Sequence, residues 1–115
     1  MSLPPSSALS ACLKVLSRAC IEARQLAWNG EHTGLTSRQS AELAALMDAV
    51  HNIPYLLQNW ERCDEELLRG MLADFDQRYR GSPFLLGVYD QARNQVKAET
   101  VAIPSLERSR TGSAA

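Results

Sequence analysis

Apolar side chains recur every three or four residues in four successive stretches of this chain, and no stretch alternates long enough to suit a strand. That period places each set on one face of an α-helix. In the first stretch Leu9, Leu13, Leu16, Cys20, Ala23 and Ala27 are spaced 4, 3, 4, 3 and 4 apart, flanked by Cys12, Ala19 and Leu26. Lys14, Arg18, Glu22 and Arg24 fall largely off that stripe. Ser6 or Ser7 can cap its start, and Asn29-Gly30 suits a left-handed stop. The first helix is therefore expected over 7–29, followed by a loop in which His32 is an exposed turn residue.

Thr36 with Gln39 three residues on forms a capping-box pattern. The stripe that follows is Leu43, Leu46, Val50, Ile53, Leu57 and Trp60. Its phase runs through Pro54, which has no amide donor and crowds the carbonyl four residues back. A second helix over 37–60 is expected, either kinked at Pro54 or broken at His51-Asn52-Ile53; the unbroken phase favours the kink. Asp64 can cap a third helix, 64–80, with Glu65 and Glu66 at its positive end and Arg78 and Arg80 at its negative end. Its buried side is Leu68, Met71 or Leu72, Phe75 and Tyr79, and Gly81 ends it. Gly70 inside it points to close helix packing or to simple tolerance. Ser82-Pro83 opens a fourth helix, 83–98, with Leu85, Val88 or Tyr89, Ala92 and Val96 inward. Four amphipathic helices with short connections predict an all-α, antiparallel up-and-down bundle over 1–98. Residues 99–115 lose the periodicity and are expected to form a mobile tail.

At 115 residues there is room for one such domain, and no apolar run approaches the ~18 residues of a membrane span. Positions 1–7 lack the positive start of a secretory signal. Three cysteines without a Cys-x-x-Cys pair suit a reducing, cytoplasmic setting. Cys12 and Cys20, on the expected core stripe, read as inert small hydrophobes. Cys63, near Glu61 and Asp64, is a poor nucleophile because those charges disfavour the thiolate. No phosphate loop, serine-nucleophile motif or zinc spacing is present, so no catalytic residue and no cofactor are assigned and the chain is not expected to be an enzyme.

Charge is uneven along the chain. Residues 41–76 carry eight acidic and two basic side chains, although the whole chain has a net charge of only −1. That balance argues against nucleic acid, for which Arg78, Arg80, Arg93 and Lys97 would have to form one basic face. The acidic stretch beside Trp60 instead suggests a surface for another protein, of basic character, built from Trp60, Glu61, Asp64, Glu65, Glu66 and Asp74. An adaptor, an inhibitor or an immunity-type partner would use such a face, and long apolar stripes also suit a homodimer. Trp28 and Trp60, at helix ends, either close the bundle or anchor an interface. The alternative is a ligand- or metal-binding bundle centred on Asp48, His51, Asn52 and Tyr55. Asp48 and His51 stand three apart on one face, a single unit of the pair that bundle dimetal sites use twice. The simpler reading of these residues is that His51 and Asn52 satisfy the irregular backbone at Pro54.

Overall fold

A computed structural model describes the backbone of residues 3–114 and the side chains of residues 3–99. The described residues form four α-helices and no strand: α1 (Ser6–Thr33), α2 (Ser37–Gln58), α3 (Glu65–Tyr79) and α4 (Leu85–Ala114), with a single 3-10 turn, Trp60–Arg62, between α2 and α3. Each helix packs on the next and α4 closes the ring on α1, which is the expected up-and-down bundle.

The local start and stop signals act where they were read, with three exceptions. Thr36 Oγ1 accepts from the Gln39 amide at 3.1 Å while Gln39 Oε1 accepts from the Thr36 amide at 3.0 Å. Asp64 Oδ1 accepts from the Leu67 amide at 2.9 Å. Gly81, at φ 69°, turns the chain after α3. The first exception is α1, which begins with Pro5 as its flanking residue and no side-chain cap, so neither Ser6 nor Ser7 performs that role. The second is Gly30, which stays helical; α1 ends at Gly34, where φ is 80°. Gly30 matters for another reason, since a Cβ there would lie 2.8 Å from Leu35 Cγ. One consequence is that His32 belongs to the last turn of α1 and stacks on Trp28, with ring centroids 4.0 Å apart, rather than standing in a loop.

The third exception is the start of α4. The carboxylate of Asp76, only 3% exposed, accepts three amide hydrogen bonds, from Phe84 at 2.8 Å, Leu85 at 2.6 Å and Leu86 at 2.9 Å. These are donors that a helix leaves unpaired at its start. Ser82 was expected to cap them; a residue two turns back on α3 does so instead. The far end of α4 also departs from expectation, because helix continues past Ala98 to Ala114. An apolar stripe reports the face a helix buries, not where its hydrogen bonding stops. The mobile tail was expected over 99–115, and the side chains of 100–115 lie outside the described residues.

The core is fully buried around Leu46, Ile53, Leu68, Leu72, Leu85 and Tyr89. α2 runs unbroken through Pro54, as the continuous phase favoured, and ends at Gln58 rather than Trp60. α1 is rotated from its expected phase. Its buried face is Ala8, Ala11, Cys12, Val15, Ala19, Ala23 and Leu26, while Leu9, Leu13, Cys20 and Ala27 are exposed and Leu16 is half-buried. Four alanines on the inward face let α2 and α4 approach closely, and the bulkier stripe is left outside.

Two stability predictions follow from these contacts. Asp76→Ala leaves three amides without an acceptor and is expected to cost about 3 kcal/mol in urea unfolding, with Asp76→Asn costing less. Gly87, in α4, has nothing within 4 Å of where a Cβ would sit. Gly87→Ala is therefore expected to stabilise by about 0.5–1 kcal/mol in the same assay.

Candidate functional site

The acidic first turn of α3 divides into side chains that hold the fold and side chains that do not. Glu65 turns toward α4 and pairs with Arg93, and one turn on Arg69 grips Asp90 with both guanidinium nitrogens, so these two links fasten α3 to α4. Asp64 is spent on its cap yet remains exposed. Glu66 is exposed and makes no ion pair among the described residues. Glu61 is exposed on the 3-10 turn, and Trp60 beside it is half-buried against the core. Farther along α3, Asp74 lies 3.3 Å from Arg78, whose guanidinium also reaches Asp48 of α2 at 3.3 Å.

Between Asp64 and Glu66 at one side and Met71 at the other lies a shallow groove of about 440 Å³, with Leu67 and Gly70 completing its lining. Leu67 is 54% exposed and Met71 is half-buried. Gly70 has nothing within 4 Å of a would-be Cβ, so tolerance rather than close packing accounts for it. The antiparallel run of α2 against α3 brings Tyr55 to the same level. From the Asp48–Arg78–Asp74 bridge, Tyr55 is seven residues along α2 and Leu67 seven residues back along α3, about two turns or ~10.5 Å in each case. Tyr55 is 58% exposed.

The structure therefore joins Asp64 and Glu66 with Leu67, Gly70 and Met71, turns Glu65 away toward α4, and places Asp74 on a bridge with Asp48. Leu67 and Arg78 were missed as site residues. Leu67 carried a signal all the same: it is a large apolar residue one position off the buried stripe of a helix whose outer face is otherwise polar. Asp48 pairs with Arg78 across to α3, and no ion pair with His51 is formed among the described residues. His51 is exposed and Asn52 half-buried. Neither bonds the backbone near Pro54 among the described residues; there Asn59 Nδ2 donates to the Tyr55 carbonyl at 2.8 Å. No group of three or more His, Cys, Asp or Glu side chains is placed to hold a metal ion among the described residues. Of the four cations considered for nucleic acid, Arg78 and Arg93 are tied as above, and Arg80 donates to the Tyr79 hydroxyl and lies 3.6 Å from Glu22. Trp28 is 55% exposed on α1, so it closes no end of the bundle.

The thiols separate by burial. Cys20 is exposed, against expectation, because α1 is rotated; Cys12 and Cys63 are buried. Burial first, and the neighbouring Cys63 second, push the Cys12 thiol from its ordinary 9.0 to about 12. Burial first, and Asp64 second, raise Cys63. Burial likewise pushes the Tyr89 phenol from 10.0 to about 12. Two thiols and a phenol inside the bundle thus stay protonated and uncharged at neutral pH.

No protein-family model matches the chain, and neither a curated protein nor a solved structure shows significant similarity to it. No described helix is long and apolar enough to cross a membrane.

The buried thiol and phenol have a consequence for pH. Above about 9 the unfolded chain loses protons that the folded chain keeps until about 12, so the folded state then binds more protons and stability falls as pH rises. Urea midpoints are expected to be level with respect to these groups between pH 7 and 8, and to drop steadily between pH 9 and 11. A Cys12→Ala variant is expected to show a shallower drop.

Proposed function

We propose that this protein is a helical protein–protein interaction module whose outer α2–α3 face binds a basic amphipathic segment of another protein, as an adaptor, inhibitor or immunity-type partner would. The observation that supports this is the groove over Gly70. An apolar floor and a half-exposed leucine stand between carboxylates, one of which, Glu66, has no cation of its own among the described residues. A partner side chain of leucine size would bury against Leu67 and Met71, while its lysines or arginines meet Asp64, Glu66 and Glu61. Aromatic residues are the type that most often anchors such contacts, and Tyr55, exposed on α2, is the candidate for that role. The rim charges would chiefly speed and steer association, and the apolar centre would set how long the complex lasts. Three unpaired cysteines agree with a cytoplasmic setting. The ligand- or metal-binding alternative at Asp48, His51, Asn52 and Tyr55 draws less support, since Arg78 occupies Asp48 and Tyr55 stands on the outer face.

A fluorescent Lys/Leu amphipathic helical peptide serves as probe. Leu67→Asp is expected to weaken its binding about tenfold, the loss of roughly 1.4 kcal/mol of apolar contact. Glu66→Lys is expected to slow association and flatten its salt dependence. Leu67 is exposed, so Leu67→Asp should keep the wild-type melting temperature, whereas Glu66→Lys, which puts a cation at the positive end of α3, should lower it by a few degrees. Equal peptide affinity for wild type and Leu67→Asp would place the binding surface elsewhere.

A further inference from the structure

The rotation of α1 leaves its outward face with an unusual composition. Opposite the buried alanines, Leu13, Ile21 and Trp28 are each more than half exposed, and Ser6, Ser10 and Ser17 stand between and before them, all exposed. The seam they form carries a single charge, Arg24. Its positions are spaced 4, 3, 4, 4, 3 and 4 residues apart, the repeat of a helix that packs on another at a shallow angle.

From this we infer that α1 binds α1 of a second copy of this chain, antiparallel, about a two-fold axis at Ser17. A two-fold contact must be self-complementary, because one patch serves both subunits. This seam is symmetric about Ser17: Leu13 and Ile21 lie four residues to either side, Ser10 and Arg24 seven, Ser6 and Trp28 eleven. In the dimer Leu13 meets the second copy's Ile21, Arg24 can donate to its Ser10, and Trp28 lies over its Ser6. Serine at the axis lets the two backbones approach. The two copies of Arg24 end up fourteen residues apart along the axis, about 21 Å, well beyond the ~8–10 Å over which solvent-exposed charges repel in physiological salt. No like charges face one another in the seam.

From Ser6 to Trp28 the seam is about 33 Å long, and a single pair of helices over that length lies at or below the ~1,200 Å² at which stable specific interfaces start. Area alone does not fix affinity; with a dissociation constant of about 10–100 µM as the working scale for the test, the dimer is reversible. Its geometry also bears on the proposed function without resting on it. α1 and α3 sit diagonally in the ring of helices, so pairing through α1 turns both α2–α3 faces outward, one on each side of the dimer.

Sedimentation equilibrium of the full chain from about 5 to about 500 µM, bracketing that constant, tests the inference. The weight-average mass is expected to climb from the monomer's 12.7 kDa toward twice that value. Ile21→Glu, at an exposed position, is expected to weaken association at least tenfold while leaving the melting temperature unchanged. In a Cys20→Ser background, Ser17→Cys is expected to form a disulfide-linked dimer with oxidised glutathione as the two-electron acceptor, and the exposed control Ser40→Cys is not. A monomer at every concentration would overturn the inference. So would association that survives Ile21→Glu but is lost in Leu67→Asp, which would move the self-contact to the α2–α3 face, or growth past the dimer.

Discussion

Three backbone amides at the start of α4 converge on the buried carboxylate of Asp76, and the arrangement of the other helices depends on that junction. A buried carboxylate is costly unless its oxygens are filled, and the first amides of a helix are costly unless they find acceptors. Each requirement meets the other here. The positive end of the α4 dipole adds to the match. The junction fixes where α4 begins relative to α3, and therefore which residues of α4 face α1. Gly81 makes the geometry reachable, since its positive φ sends the chain back toward the side of α3 that carries Asp76. The Arg69–Asp90 and Glu65–Arg93 links then hold the two helices in register farther along. They are more exposed, and an exposed ion pair contributes little on its own.

Those contacts also explain why some of the fold was legible in the sequence and some was not. Several signals that act within one turn survive, namely Thr36 with Gln39, Asp64 with Leu67 and the stop at Gly81. The Ser6 or Ser7 cap and the Asn29-Gly30 stop, equally local, do not. The cap on α4 spans eight to ten residues across a turn and has no local pattern, so Ser82, the nearest hydroxyl, was the natural and mistaken choice. The phase of α1 failed for a different reason. Hydrophobicity ranks Leu9 and Leu13 above Ala8 and Ala11, but a helix that touches both α2 and α4 is placed by how closely it can approach them. Small residues win that competition, and the leucines turn outward. α2 was read closer to its phase: Leu46 and Ile53 are buried as expected, but Ala45 and Ala49 join them while Leu43, Val50 and Leu57 are half-buried.

The candidate site was legible in part for the same reasons. The acidic cluster and Tyr55 stand out as residue types, but sequence does not say which carboxylates are already taken. Glu65, Glu66 and Asp64 are three consecutive acids with three different fates: an ion pair, a charge with no ion pair among the described residues, and a helix cap. The helix's 100° turn per residue separates them, and only the position of α4 decides that Glu65 is the one that meets Arg93. Arg78 was assigned to the helix dipole, whereas it also ties Asp74 to Asp48 and so links α3 to α2.

A four-helix ring of this size has little interior to spare. The inward positions of α1 are mostly alanine, and the remaining centre is filled by Leu46, Ile53, Leu68, Leu72 and Tyr89. Burial keeps the enclosed thiols and phenol uncharged at neutral pH, which suits a close-packed interior of low polarity. Packing of that kind transfers variety to the outside. Each helix has two neighbours in the ring and therefore one free face, and the four free faces need not resemble one another. On α1 the free face is apolar and nearly uncharged; diagonally opposite, on α3, it is acidic around Leu67. Because the core does not need these outward side chains, each face can change without disturbing the other or the bundle. Two unlike surfaces on one rigid frame allow one contact to be tuned by charge and the other by apolar area.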